Sequence, residues 1–219
     1  MRTTALRALA IAVALGPAVV FTQGAKTKPT TATYITKEDV DNVNKTPGTD
    51  RNLKVVDIGH ENFTVGVIHR RRTVNGVQDP APGAAAGAAA GAARGTAPAA
   101  APTPCGRQMA TAPPGGSTGG ITHDSQTEAY YIISGGGMMF TDGYIVNGRH
   151  NLSPNLNGPT CGGVAYDVVK KTVKVGDIII VPAGVVHGWS DIPDHVDYLS
   201  FRPSPGILTA GWMHAVLKK

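Results

Sequence analysis

The stretch GDIIIVPAGVVHGWSD, residues 176–191, decides the fold of this chain. Four apolar residues follow Gly176-Asp177 and end at the turn Pro182-Ala183-Gly184. The sequence then becomes apolar again and contains a single histidine, His187. Short apolar runs separated by proline and glycine are typical of strands joined by a tight turn. The stretch therefore predicts two strands, with a histidine in the second one.

Short strand candidates also occupy most of the chain outside this stretch. LKVVDIG (53–59) and FTVGVIHR (63–70) precede it, and from residue 118 onward short apolar runs alternate with turns that contain Gly or Pro. Helical periodicity is scarce, which favours an all-β sandwich or barrel, the jelly roll among them. One short helix is expected over residues 37–45, because Thr36 to Asp39 resembles a capping box.

The N-terminal segment has the composition of a secretory signal peptide. Arg2 and Arg7 precede the apolar run ALAIAVALGPAVVF, and small or polar residues follow it. An uncleaved N-terminal anchor is the alternative. The predicted organisation is a signal peptide (1–24), an N-terminal extension with a short helix (25–50), one β domain (51–205) and a C-terminal tail (206–219).

An insertion of low complexity interrupts the β domain at residues 78–104. Its sequence, QDPAPGAAAGAAAGAARGTAPAAAPTP, is almost entirely Ala, Gly and Pro. Such side chains have little surface to bury, so a disordered loop inside the domain is expected. Formation of a helix on contact with a partner is the alternative.

The two cysteines, Cys105 and Cys161, are candidates for one disulfide. Export would place them in an oxidising compartment, whereas two free buried thiols are the alternative. No histidine lies near them at the short spacing of a zinc knuckle, so such a site is not expected.

The charge of the chain does not favour nucleic-acid binding. Without Arg2 and Arg7 the formal charge falls from +5 to +3, since 18 bases then face 15 acids. The densest basic cluster, Arg70-Arg71-Arg72, has no interleaved aromatic residues. A solvated strand end is the expected place of these arginines.

Spacing in the opening stretch matches a known motif. Gly176, five residues, Pro182, one residue, Gly184, two residues and His187 resemble the second motif of the cupin superfamily. That motif ends in Asn after three further residues, where this chain has Asp191. The resemblance identifies the domain as a single-domain cupin of the exported type, and implies a jelly-roll β-barrel.

The first cupin motif is found upstream with one departure. Counting from Gly115, Ile121 stands where the first histidine is expected, His123 is the second histidine, Glu128 is the glutamate and Gly135 is the closing glycine. Ile121 and His123 alternate and share one strand face. Glu128 requires a bend at 124–127 to reach that face, and the residues there suit a turn.

The two motifs together predict a metal site made of His123, Glu128 and His187. Inward residues of neighbouring barrel strands converge, and two imidazoles with one carboxylate leave open coordination positions. The expected cofactor is one divalent transition metal. Iron(II) is the first expectation, with manganese, zinc, copper and nickel as alternatives.

Four further residues are expected around this site. Tyr130 lies two residues after Glu128 and points inward with it, so Tyr130 and Glu128 are the candidate catalytic residues; core packing is the alternative for Tyr130. Trp189 shares the face of His187, and Tyr198 and Arg202 share one face of the last strand. All three are candidate substrate-binding residues, with a surface salt bridge as the alternative for Arg202.

The resemblance implies several functions for such a site. The first is a secreted or periplasmic metal-dependent oxidoreductase, similar to a dioxygenase, that acts on a small organic molecule. A metal-dependent lyase or isomerase with Tyr130 as base is the second, and a non-catalytic small-molecule or sugar-binding cupin is the third. A homodimer that pairs through strands at a sheet edge is expected. Neither a nucleic-acid partner nor membrane insertion after signal cleavage is expected.

Overall fold

A computed structural model describes residues 29–81, 103–152, 158–203 and 209–218. The predicted signal peptide (1–24) and the centre of the alanine-rich insertion (82–102) lie outside these residues. Within the described part, no helix has the length and apolar character needed to cross a membrane.

Antiparallel strands make up most of the described chain. In order, the elements are α1 (Lys37–Asn44), β1 (Asp50–Asp57), β2 (Asn62–Val74), β3 (Val77–Gln78), β4 (Pro104–Cys105), β5 (Ser117–His123), β6 (Glu128–Thr141), β7 (Tyr144–Asn151), β8 (Thr160–Tyr166), β9 (Val169–Lys174), β10 (Ile178–Val181), β11 (His187–Pro203) and a 3₁₀ helix (Ala215–Leu217). The short helix and the two strands around the opening turn are confirmed.

Two long strands, β6 and β11, join the two halves of the barrel. β11 pairs with β6 along most of its length, with β2 through its second half and with β5 at its first residue. β6 pairs with β10 through its first residues and with β9 through its last ones. The remaining strands continue in the order β5-β8-β7-β4 on one side and β2-β1 on the other. The jelly-roll architecture expected from the sequence is confirmed.

A bend at a glycine allows β6 to run through both halves of the barrel. Gly135, the closing glycine of the first motif, has φ +64°, a conformation that L side chains rarely adopt. A Cβ at this position would overlap the backbone carbonyl of His195 on the neighbouring strand. The motif glycine is therefore needed both for the bend and for the close approach of the two strands.

Helix α1 closes one outer face of the sheet. Its capping box is complete, because Thr36 Oγ1 accepts the Asp39 N–H and the Asp39 carboxylate accepts the Thr36 N–H. Val43 is fully buried against Leu53 and Val67. This apolar cluster lies on the opposite side of the sheet from the barrel interior.

The disulfide between Cys105 and Cys161 is confirmed. It connects β4 to β8, the strand that pairs with β5. The ends of the predicted insertion, Gln78 and Pro104, lie in the short strands β3 and β4. The ordered barrel thus extends into both ends of that segment, because the sheet supplies backbone partners there.

Removal of the disulfide should destabilise the fold. The bridge closes a loop with a sequence separation of 56 residues, and the chain-entropy model gives about 4 kcal/mol for a loop of this size. We expect the double variant C105S/C161S to lose that amount of unfolding free energy in urea denaturation. A reductant should lower the stability of the wild type to the same level and leave the variant unchanged. Equal stability of both proteins without reductant would contradict the expectation.

Candidate metal centre

Two turns bring the three predicted ligands together. His123 ends β5, Glu128 begins β6 and His187 begins β11. The bend expected at 124–127 is present between the first two. The Gly184 N–H donates to the His123 carbonyl at 2.8 Å, which ties the turn before His187 directly to the strand end that carries His123.

The ligand atoms of the three side chains lie close to one another. One donor atom from each of His123, Glu128 and His187 falls within 4.8 Å of the others. Nε2 of His123 is 3.1 Å from Glu128 Oε1, and Nε2 of His187 is 3.8 Å from Glu128 Oε2. All three residues are buried. The spacing of the two motifs therefore predicted a real cluster.

His187 presents an unprotonated nitrogen to the cluster. Its Nδ1 lies 3.1 Å from the Val185 carbonyl, and since a carbonyl only accepts, Nδ1 carries the proton. Nε2 is then the nitrogen with the lone pair. Burial lowers the pKa of His187 to about 4, with the Glu128 carboxylate opposing the shift. A neutral imidazole is the form that binds metal.

Glu128 is the most deeply buried charge of the site, with no exposed surface. Burial acts to raise the pKa of its carboxyl, but the Arg202 guanidinium holds that pKa below its usual value, with smaller contributions from His123 and His187. Arg202 Nε contacts Glu128 Oε1, and the Arg202 side chain is 6% exposed. A surface salt bridge at Arg202, the alternative weighed from the sequence, is wrong because its partner lies inside the barrel.

Tyr130 contacts the other oxygen of the Glu128 carboxylate. Its hydroxyl donates to Glu128 Oε2. Burial and the neighbouring carboxylate raise the pKa of Tyr130 well above its ordinary value. The phenol therefore keeps its proton and orients Glu128 toward the imidazoles.

The residues present fit a divalent transition metal. Zinc binds nitrogen and oxygen donors at about 2.0–2.2 Å, so two donors of one ion stand about 3 Å apart. The separation of His123 Nε2 from Glu128 Oε1 agrees with this. Glu128 Oε1 is buried and faces both His123 Nε2 and Arg202 Nε. Two imidazoles and a buried carboxylate form a donor set that suits a divalent transition metal.

A cavity of about 280 Å³ opens onto the cluster. Its wall includes all of the candidate ligands and substrate-binding residues: His123, Glu128, Tyr130, His187, Trp189, Tyr198 and Arg202. The rings of Tyr130 and Tyr198 lie 4.6 Å apart, and those of Trp189 and Tyr198 lie 5.9 Å apart. Ile121, in the place of the first motif histidine, also lines the cavity. One end of the cavity is thus a metal-ligand cluster and one wall is aromatic.

The sequence did not indicate the contribution of Arg70. The structure places its side chain in the cavity wall, 28% exposed and 3.0 Å from Asp50 Oδ1. The expectation of a solvated strand end is therefore wrong for Arg70, because its partner Asp50 stands on the adjacent strand β1. Arg72 does fit that expectation, since its side chain is 55% exposed and pairs with Asp79 near the surface.

The antiparallel strand order and the two motif turns that meet at the ligand cluster identify the fold. This is a cupin fold. No protein-family model matches the sequence, and no curated protein matches it.

Solved structures show a distant likeness to this cupin fold. A conserved protein with a double-stranded β-helix domain from Klebsiella pneumoniae subsp. pneumoniae MGH 78578 is 15% identical, with a TM-score of 0.34 over 77% of this chain and 90% of its own. A protein from Neisseria meningitidis is 10% identical, with a TM-score of 0.35 over 78% and 100%. An oxalate oxidase in complex with the substrate analogue glycolate is 10% identical, with a TM-score of 0.29 over 73% and 53%. These values are too low to carry an argument about chemistry.

Substitution of Arg202 should make the fold depend on a metal. Arg202→Met leaves the buried Glu128 carboxylate without its guanidinium, which costs about 3–5 kcal/mol in a protein interior. We expect urea denaturation of the metal-free variant to show that loss, and saturating zinc to restore more stability to the variant than to the wild type.

The matched control is Arg72→Met, at the exposed pair with Asp79. Its loss should be under about 1 kcal/mol with or without zinc. A loss at position 202 that zinc leaves unchanged would contradict the interpretation of the cluster as a metal centre.

Proposed function

We propose that this chain is an exported metal-binding cupin that acts as a metal-dependent, dioxygenase-like oxidoreductase on a small organic molecule. One observation carries the proposal: donor atoms from His123, Glu128 and His187 lie within 4.8 Å of one another at the end of a cavity. A structural metal site is usually closed by four protein ligands, whereas three ligands leave positions for substrate.

The proposed metal is iron(II), with manganese, zinc, copper and nickel as alternatives. Two histidines and one carboxylate are the ligand set of many non-haem iron sites. A bound transition ion supplies Lewis acidity and, for iron or copper, electron transfer. Ile121 stands opposite His187 in the strand pairing and contributes no ligand, so the protein offers the ion three donors at the motif positions.

The residues around the cluster have distinct roles in this proposal. Tyr130 and Arg202 position the Glu128 carboxylate, one on each oxygen. Trp189 and Tyr198 form an aromatic wall that holds the organic part of a substrate and excludes water from the ion. Since the cavity measures about 280 Å³, the substrate is a small molecule.

A metal-dependent lyase or isomerase is the second candidate. It requires a base beside the substrate, and Tyr130 lines the cavity. The hydrogen bond from its phenol to Glu128 favours a positioning role over that of a base. Non-catalytic binding of a small molecule or sugar is the third candidate.

Metal analysis of purified protein tests the site. We expect the wild type to hold close to one equivalent of a transition metal and His187→Ala to lose it, because two of three ligands bind an ion far more weakly. His60→Ala is the matched control, since that imidazole lies at the surface. Elemental analysis gives the metal content, and circular dichroism confirms the fold. Equal metal content in the wild type and His187→Ala would overturn the proposal.

Oxygen uptake then separates the three candidate functions. Oxygen consumption coupled to loss of a substrate from a panel of small organic molecules supports the oxidoreductase. Substrate loss without oxygen uptake, abolished by Tyr130→Phe, identifies the lyase or isomerase. Binding without turnover identifies the non-catalytic function.

Export is the proposed fate of the chain. Two features support it: the N-terminal sequence of residues 1–24, which has the composition of a signal peptide, and the disulfide between Cys105 and Cys161. Mass spectrometry of the protein recovered from the periplasm or medium tests it through the mass of the mature N-terminus.

We further propose a homodimer formed through the edge strand β10. Ile178 and Ile180 are 70% and 67% exposed, and within the described residues β10 pairs only with β6. The adjacent edge strand β9 carries Lys170, Lys171 and Lys174, and lysines discourage pairing at an edge. The uncharged edge of β10 is therefore the place where a second copy can add a strand.

Light scattering tests the dimer. We expect a dimeric wild type and a monomeric I178K/I180K variant, since two lysines on this edge would oppose those of the partner. Ile58→Lys, at another exposed isoleucine, should stay dimeric. A monomeric wild type at high concentration would contradict the proposal.

A further inference from the structure

The charges of the cavity wall balance before a metal binds. Two arginines, Arg70 and Arg202, face two carboxylates, Asp50 and Glu128, and all four residues line the cavity. Each arginine pairs with one carboxylate, Arg70 with Asp50 and Arg202 with Glu128. A histidine that binds a metal does so in its neutral form. A divalent cation therefore leaves the cavity with a surplus of two positive charges.

That surplus favours an anion as the next occupant. In a low-dielectric cavity an uncompensated charge is unfavourable, and an opposite charge brought by a ligand removes that penalty. Water alone compensates this charge poorly, because the aromatic side chains of Trp189 and Tyr198 form part of the cavity wall. The electrostatics of the metal-loaded site thus favour a negatively charged substrate over a neutral one of the same shape.

Arg70 is the cation placed to receive it. Arg202 is 6% exposed and lies against Glu128, whereas Arg70 is 28% exposed and also lines the cavity. A guanidinium has five N–H donors, so donors remain for a ligand beside the contact with Asp50. The ion pair with Asp50 orients the guanidinium, which lowers the entropic cost of binding.

We infer that Arg70 is a specificity-determining residue that binds the carboxylate of a small organic acid, while the apolar body of that acid packs on Trp189 and Tyr198. The inference rests on the proposed function, because the metal supplies the charge surplus. Carboxylates suit this site because a guanidinium presents paired N–H groups that match two carboxylate oxygens. A neutral sugar or alcohol would leave the surplus charge uncompensated.

Trp189 allows this inference to be tested without turnover. The chain has two tryptophans, so the background variant Trp212→Phe leaves the cavity tryptophan as the reporter. The probes are benzoate and benzamide, which share a shape and differ in charge. They are titrated into zinc-loaded protein while Trp189 fluorescence is recorded.

We expect benzoate to bind at least about tenfold more tightly than benzamide, the effect of one charge-assisted hydrogen bond. Arg70→Gln should remove that preference and leave benzamide unchanged. Arg70→Lys, which keeps the charge, should retain part of the preference. Arg72→Gln, a matched loss of charge outside the cavity, should bind both probes like the wild type. Thermal unfolding of each variant shows that it is folded.

Three results would overturn the inference: equal binding of the two probes by the wild type, an unchanged preference in Arg70→Gln, or an equal loss in Arg72→Gln. The metal content of the same samples is measured in parallel. If the protein takes up no zinc, the proposed function fails, and the inference about Arg70 fails with it because no charge surplus arises. If the protein takes up zinc but binds the two probes equally, the inference alone is overturned.

Discussion

The buried carboxylate of Glu128 is the constraint on which the rest of the site depends. An ionised carboxylate without water is costly unless charged and hydrogen-bonding groups surround it. Here the groups come from three strands: Arg202 and His187 from β11, His123 from β5 and Tyr130 from β6 itself. A slip of one residue in any of these pairings would turn a partner to the other face of the sheet. The electrostatics of one group thus fix the register of the barrel around it.

Protein groups compensate this charge at both carboxylate oxygens. Arg202 contacts one oxygen of the carboxylate and lowers its pKa, and Tyr130 donates a hydrogen bond to the other oxygen. The same two contacts hold Glu128 toward the imidazoles and preorganise it. The Arg202 guanidinium would compete with a metal ion for the Glu128 carboxylate, because it already neutralises part of the negative charge that would attract the ion. Metal affinity in such a site is a balance between stability without the ion and strength of binding.

The parts of the site that local spacing defines could be predicted from the sequence. His123, Glu128 and His187 follow from two motifs with turns at fixed positions, and the inward direction of Tyr130 follows from strand alternation. The burial of Arg202 could not be predicted, because its partner lies 74 residues away (202 − 128) and only the pairing of β6 with β11 brings them together. Arg70 was assigned to the surface for the same reason. Its neighbours Arg71 and Arg72 are also arginines but have other partners. The residue type alone therefore does not tell which of the three side chains enters the cavity wall.

The bond from the Gly184 amide to the His123 carbonyl involves main-chain atoms only. Any residue pair that keeps the two loops in this conformation would preserve it, whatever the side chains in between. Apart from Gly184, whose φ is +78°, these loops can therefore change in sequence over evolutionary time without displacing His123 and His187. Distant homologues can retain the same arrangement of side chains after most of their residues have changed. Comparison of the loops in three dimensions is the means to recognise such homology.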